Sequence, residues 1–239
     1  MKLKAWMLLI LLPVYASAQE GSRSAIKKAA ELFAEGRYQA TIEELSLIES
    51  QDLSKSDQGL IAYWKGMTYN RLQNFPKAIE NFQKSLNLDN APQDIHYEYG
   101  QALFASEKLQ DARIQFRESL RKKFKRGVSL YYIAYLSREL GDFKKAVTFY
   151  KAIDKLGEEG AEVRQAAQVQ IGDIYLQQVE KTRESYRSIE KYVIPQYRYA
   201  LNLDENSAIA PTIREKILDL QRKYDLVMFR LRNGRPVAD

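Results

Sequence analysis

The side chains that carry out most protein chemistry are scarce in this chain of 239 residues, which has no cysteine and one histidine, His96. A thiolate nucleophile, a thiolate metal site and a disulfide framework are all excluded. A His–His metal site or a relay that needs two imidazoles cannot be built within one chain. Carboxylates such as Glu139, Asp142 and Asp173 are scattered, and no motif sets two of them around a substrate. The sequence is therefore read as non-catalytic, with no cofactor and no metal. What recurs instead is aromatic. Tyr63, Tyr97 and Tyr131 lie 34 residues apart, Tyr135 follows one helical turn after the last, and Arg71 and Arg138 stand nearby. Tyrosines interleaved with arginines offer rigid apolar area, hydroxyl donors, and cation–π or carboxylate contacts, which is the chemistry of a binding face.

The elements that must position these side chains follow from the same period. Gly66, Gly100 and Ala134 are spaced by 34, as are Ala78, Ala112 and Ala146, then Phe82, Phe116 and Tyr150, and again Phe75, Leu109 and Phe143. The middle units read Ala62-x2-Lys65-Gly66-x2-Tyr69…Ala78-x3-Phe82, His96-x2-Tyr99-Gly100-x2-Leu103…Ala112-x3-Phe116, and Leu130-x2-Ile133-Ala134-x2-Ser137…Ala146-x3-Tyr150. Helices packed antiparallel approach closely only where side chains are small, and large side chains fill the neighbouring holes. Gly141 suits a left-handed helix stop, and Pro76 suits a first helical turn where no amide donor is needed. A fixed period of 34 with small and aromatic residues at matched places resembles the tetratricopeptide repeat.

Two further units are less regular. Ala25-x2-Lys28-Ala29-x2-Leu32 with the turn Gly36-Arg37-Tyr38 matches a first unit, although Thr41 stands where alanine is usual. A fifth unit starts at Gln168-x2-Ile171-Gly172-x2-Tyr175, and its end, Ala200-Leu201-Asn202-Leu203-Asp204, echoes Ser85-Leu86-Asn87-Leu88-Asp89. Its interior is about nine residues too long for the period, and Pro195 predicts an extended or broken helix there. From Pro211 to Arg232, Ile213, Ile217, Leu220, Tyr224, Val227 and Leu231 form one apolar stripe, with Leu218, Met228 and Phe229 widening it. Repeat arrays need an end helix to cover the last apolar face, so this stripe is read as a cap. The same spacing fits a heptad seam, so a homo-oligomer through 211–232 is the alternative.

The resemblance implies an all-α fold, a right-handed α-α superhelix of about five helix pairs closed by a C-terminal capping helix. The repeat array spans 19–206, clearest over 59–92, 93–126 and 127–160, followed by the capping helix at 207–232 and a tail at 233–239. The family's concave wall comes from the first helix of each unit. Carried over place by place, it holds Leu60, Tyr63, Met67, Asn70 and Arg71, then Asp94, Tyr97, Gln101 and Phe104, then Val128, Tyr131, Tyr135 and Arg138, and finally Val169, Asp173 and Gln177. The partner-binding candidates are Tyr63, Met67, Asn70, Arg71, Tyr97, Gln101, Phe104, Tyr131, Tyr135 and Arg138. Chaperone-binding members of the family grip a terminal carboxylate with lysine and asparagine; those places hold Tyr63 and Met67, then Tyr97 and Gln101, so that subtype is disfavoured. His96 falls where side chains pack between helices and is read as a core or half-buried residue. Arg117, Arg121, Lys122, Lys123, Lys125 and Arg126 cluster at the end of a second helix. There cations complement the helix dipole, and a solvated end is the plain reading, with an anionic partner the other.

The first residues read as a targeting segment. Lys2 and Lys4 form a basic head, Ala5 to Tyr15 is nearly all apolar, and Ala16-Ser17-Ala18 offers the small residues that a signal peptidase requires. The apolar run is about half of the ~20 residues of a membrane span. A signal peptide over 1–18 predicts export, to a bacterial periplasm, and the missing cysteine excludes a lipoprotein anchor. Without Lys2 and Lys4 the net charge falls from +6 to about +4, too weak a balance to imply nucleic acid. The function expected is a scaffold or adaptor of the cell envelope that holds a peptide or helical segment of another envelope or secreted protein. Membrane association would come only through that partner. A structural oligomer is the alternative, and an enzyme ranks last.

Overall fold

A computed structural model describes residues 21–49, 53–88, 91–156, 160–182 and 186–232. The signal-peptide expectation for 1–18 and the tail at 233–239 lie outside the described residues. Every regular element among the described residues is helical, and the chain divides into two compact units, residues 1–124 and 125–239.

In unit 1 three helical hairpins follow one another. Residues 21–34 form α1. Then come α2 (Tyr38–Glu49), α3 (Lys55–Arg71), α4 (Phe75–Leu86), α5 (Ile95–Ala105) and α6 (Leu109–Arg121). Helix α3 packs on α2 and α4, α5 packs on α4 and α6, and α3 also touches α5. The first helices of successive hairpins thus neighbour each other, as the 34-residue period requires. In unit 2 the order is α7 (Arg126–Glu139), α8 (Phe143–Asp154) and α9 (Ala161–Thr182). A short turn α10 (Tyr186–Ser188) leads to α11 (Ile194–Leu203) and then α12 (Ala210–Arg232).

Local sequence sets the ends of these helices. Ser54, Asn74 and Asp142 each accept a hydrogen bond from the backbone N–H three residues on, at 3.1, 3.4 and 3.1 Å, occupying one of the orphan donors of a helix start. Pro76 lies in the first turn of α4, as expected. Each hairpin turn of the first four repeats places one residue in the left-handed region: Gly36 (φ 75°), Gln73 (φ 58°), Glu107 (φ 60°) and Gly141 (φ 81°). Two of the four use glycine, which adopts this conformation without Cβ strain. Thr41, in the usual alanine place, is fully buried, and its hydroxyl donates to the Arg37 carbonyl at 3.0 Å, so the extra polar atom is satisfied.

The packing that the period implied is present as specific contacts. A Cβ on Gly66 would lie 2.8 Å from the Phe82 ring, one on Gly100 3.0 Å from the Phe116 ring, and one on Gly172 2.6 Å from the Tyr197 ring. Phe82, Phe116, Tyr150 and Tyr197 are all fully buried. The missing side chain on one helix is therefore what lets the aromatic ring of the next seat against its backbone.

The long fifth repeat has a 22-residue first helix, α9, and a helix irregularity ahead of Pro195. Residues Ile189–Val193 form a π-helical turn in which the Ile194 N–H bonds to the Ile189 carbonyl, five residues back. Pro195 follows in the first turn of α11. Proline has no N–H for the carbonyl four residues before it, and the wider turn absorbs that break without ending the helix. Val193 and Ile194, on either side of the joint, are buried with Tyr197, Ala200, Ile213, Ile217 and Leu220 in one cluster. Helix α12 therefore covers α11 through Ile213, Ile217 and Leu220, the first half of the stripe read as a cap. Leu218 is exposed (51%). The side chains of Tyr224, Val227, Met228, Phe229 and Leu231 lie outside the described residues.

Candidate functional site

The wall-facing places of unit 1 lie on α3 and α5. Helix α3 carries Tyr63, Met67, Asn70 and Arg71; α5 carries Tyr97, Gln101 and Phe104. The expectation of an exposed tyrosine ladder needs correction here. Tyr63 (5% exposed), Met67 (6%) and Tyr97 (6%) are buried. The cause is the next repeat for Tyr63 and its own repeat for Tyr97. Tyr63 reaches across to donate its hydroxyl to Asp94 at 2.7 Å, and its ring meets Trp64 edge-on at 5.3 Å. The Tyr97 ring packs edge-on against Phe116 at 5.9 Å and tilted against Phe124 at 5.9 Å. Burial, and after it the Asp94 carboxylate, pushes the Tyr63 phenol well above its ordinary range, so it stays a donor.

What unit 1 leaves accessible is the rest of the set. Asn70, Gln101 and Phe104 are half-buried, and Arg71 is more open. Gln101 donates to the Tyr97 hydroxyl at 3.1 Å. Arg71 stands 3.6 Å from the buried carboxylate of Glu98 and 5.8 Å over the Phe33 ring. Phe33 in turn stacks at a tilt on Trp64 at 5.4 Å and on Tyr38 at 5.5 Å. The result is a rigid aromatic floor edged by one guanidinium and two amides. Glu98, Phe33 and Trp64 were not singled out from the sequence. Only the burial of Glu98 beside Gly100, at a position where the neighbouring repeats have Trp64 and Tyr132, could have hinted at its role.

Unit 2 holds the remaining candidates. Tyr131, Tyr135 and Arg138 lie on α7, all half-buried. The Tyr131 ring packs edge-on against Tyr150 at 5.5 Å. Arg138 donates to Gln170 of α9. Asp173 on α9 accepts from the Tyr197 hydroxyl at 2.6 Å and from Lys216 of α12 at 2.6 Å, and Lys216 also stands 5.4 Å over the Tyr197 ring. Burial raises the Tyr131 and Tyr197 phenols, and the Asp173 hydrogen bond pushes the latter further. Tyr197 and Lys216 are the residues that sequence reading missed here. Lys216 is one of many lysines, and nothing in its spacing ties it to Asp173.

His96 is half-buried, with Nδ1 2.9 Å from Gln115 Oε1, as expected of a packing residue. In the basic cluster Arg121 pairs with Glu118 at 2.7 Å, and the Lys122 carbonyl accepts from Gln93 at 3.0 Å. Among the described residues no group of three or more His, Asp or Glu side chains could hold a metal ion. No described helix is long and apolar enough to cross a membrane.

Comparison with known proteins agrees with this geometry. A tetratricopeptide-repeat family model matches residues 61–92. No curated protein matches the sequence. Among solved structures the chain is similar to YrrB, described as a TPR protein with an unusual peptide-binding site, at 14% identity and a TM-score of 0.61, covering 80% of this chain and 90% of that one. It is similar to the MamA protein at 19% identity and a TM-score of 0.60, covering 79% and 94%. Pseudomonas aeruginosa pilF is similar at 16% identity and a TM-score of 0.57, covering 90% and 93%. At these identities the likeness is one of fold, an all-α array of repeated helical hairpins. Residues 61–92 thus match a tetratricopeptide repeat, and the described chain shares the all-α fold of solved tetratricopeptide-repeat structures.

Proposed function

We propose that this protein is a non-catalytic adaptor of the cell envelope that holds a peptide or helical segment of another exported protein against its first-helix faces. The observation that carries this reading is the character of those faces. In unit 1, buried Tyr63 and Tyr97 share their helices with half-buried Asn70, Gln101 and Phe104 and the more open Arg71, and Gln101 donates to the Tyr97 hydroxyl. In unit 2, half-buried Tyr135 and Arg138 lie on α7. Amide, guanidinium and aromatic groups held in place from behind lose little rotamer freedom on binding, which is what makes such groups effective anchors. The N-terminal pattern of a basic head, an apolar run and Ala16-Ser17-Ala18 supports export.

The test is capture of partner protein from the native envelope by the purified chain after crosslinking. Asn70→Ala, Arg71→Ala and Phe104→Ala combined should abolish capture while the chain stays helical at the assay temperature, although loss of Arg71 removes the cation beside the buried Glu98 carboxylate and lowers the melt. Undiminished capture by this triple variant would overturn the reading. Fractionation of cells into cytoplasm and envelope tests the location, and a cytoplasmic protein that retains residues 1–18 would contradict it.

A further inference from the structure

The third repeat ends differently from its neighbours. At the 34-residue spacing, the place at the end of the second helix holds Leu88, Lys122 and Leu156, and Leu203 takes it in the fifth repeat. The three leucines are half-buried, and Lys122 is exposed. The next residue is Asp89 in the second repeat and Asp204 in the fifth, but Lys123 in the third. Residues 117–126 hold six basic side chains and one acid, a net +5 in a chain whose whole balance is +6. That acid, Glu118, is paired with Arg121 at 2.7 Å. Charge that the repeat packing does not require is thus gathered at one end of unit 1.

The turn that carries these lysines is held in place. The Lys122 carbonyl accepts from Gln93 at 3.0 Å, the Phe124 N–H donates to the Ser119 carbonyl at 3.0 Å, and the Ser119 hydroxyl donates to the Phe124 carbonyl at 3.1 Å. The Phe124 ring packs against Tyr97 at 5.9 Å. Lys123 is left-handed (φ 59°), where glycine would be the unstrained residue. Beside the turn lies a cleft of about 380 Å³, walled by Leu86, Ala91, Pro92 and Ile95 and edged by His96 and Lys122.

We propose that the Arg117–Lys123 end of unit 1 docks on an anionic phospholipid surface, with one headgroup phosphate taken by Lys122 at the mouth of the cleft. The chemistry required is that of a phosphate ester with an apolar neighbour. A single soluble anion satisfies only the cleft, whose edge supplies one ammonium. Arg117 and Lys123 are exposed outside its lining, and only an array of anions matches all of them at once. Lysines on a solvent-facing turn give no fixed fork for one carboxylate, which suits a diffuse surface potential more than an acidic protein segment. This goes beyond the adaptor reading and does not depend on it. It gives the chain a membrane contact of its own, where the sequence led to one only through a partner.

The test is cosedimentation of the protein, recovered from its own cells, with vesicles of phosphatidylglycerol and phosphatidylcholine, against vesicles of phosphatidylcholine alone. Binding to the mixed vesicles that fades with added salt, and none to the neutral ones, is expected. Lys122→Gln with Lys123→Gly should weaken that binding about twenty-fivefold, about fivefold for each cation withdrawn from an anionic surface. Glycine suits the left-handed place better than lysine, so helicity and melt should be retained. Lys144→Gln with Lys223→Gln removes the same charge from exposed places on α8 and α12 and should leave binding nearly unchanged. Equal loss in the two double variants, or equal binding to both kinds of vesicle, would overturn the proposal. So would displacement by glycerol phosphate at an ionic strength where chloride leaves binding intact, which would point to a single soluble anion. Retention on immobilised polyglutamate at a salt concentration that strips the protein from mixed vesicles would overturn it in favour of an acidic protein partner.

Discussion

Unit 1 seats phenylalanines, Phe82 and Phe116, where unit 2 seats tyrosines, Tyr150 and Tyr197, at one structural place. The backbone logic is shared, a ring against a helix with a small residue, and the difference is a single oxygen. In unit 1 that place is purely apolar, and the polar groups are handled elsewhere, by Tyr63 to Asp94 and Arg71 to Glu98. In unit 2 the oxygen enters the packed layer and has to be satisfied there. Tyr197 manages this through Asp173 and Lys216, and Tyr150 has no hydrogen-bond partner among the described residues. Packing fixes the ring, while the hydroxyl is free to vary with function. A repeat scaffold can thus acquire a polar site without changing its core volume.

Removing the shared ring should give the largest effect and treat both units alike. Phe116→Ala and Tyr197→Ala should each cost about 3–5 kcal/mol in chemical unfolding, as for any large buried ring. If one of them costs under about 1 kcal/mol, the two places are not equivalent in packing. Adding a methyl on the facing helix comes next. Gly172→Ala places its Cβ 2.6 Å from a ring that Asp173 also holds. The overpacking, about 1–3 kcal/mol, outweighs the helix propensity gained, about 1 kcal/mol. Gly100→Ala, with its Cβ at 3.0 Å, should cost less or be neutral in the same melt.

The sharpest contrast comes from deleting the oxygen alone. Tyr197→Phe should destabilise by about 1–2 kcal/mol, because it removes a hydrogen bond to a charged acceptor. Tyr150→Phe should stabilise by about 1 kcal/mol, because it removes a buried donor with no partner. Opposite signs from one chemical change, read by urea unfolding, would establish the difference between the repeats; equal signs would erase it.

The smallest effect is electrostatic. Lys65 and then Lys84 hold the Glu49 carboxyl below its ordinary range, and both ion-pair with it. A depressed folded-state pKa means stability that is present above the ordinary glutamate value and lost as pH falls through the lower, folded one. Glu49→Gln should therefore flatten the acid limb of the stability profile slightly and leave neutral pH almost unchanged, Glu49 being well exposed. The tyrosines act at the other end. Burial raises the Tyr150 phenol above its ordinary value of 10.0. Its contribution is present below that pH and is lost as pH rises through the raised value.

Much of this was legible in the sequence because it is periodic. Gly66, Gly100 and Gly172, the alanines facing them and the aromatic places follow from one spacing, and Pro195 announced the break that the π-helical turn resolves. The stripe through Ile213, Ile217 and Leu220 announced the cap. What sequence could not give was the side on which each tyrosine ends. Tyr63 and Tyr97 have the spacing of wall residues, yet Tyr63 is tied down by Asp94 of the next repeat and Tyr97 is covered by Phe116 and Phe124 of its own, and about 100° of helix rotation separates wall from core. The pairing of Asp173 with Lys216, 43 residues on, and the isolation of the Tyr150 hydroxyl arise from tertiary contacts that leave no periodic trace.

The most direct test of the adaptor reading is photocrosslinking in living cells with a benzophenone amino acid placed at Phe104, on the first-helix face of its repeat, or at Ile114, exposed on α6. The account predicts a discrete crosslinked partner band from position 104 and none from 114. Bands of equal strength from both positions, or a band from 114 alone, would contradict it.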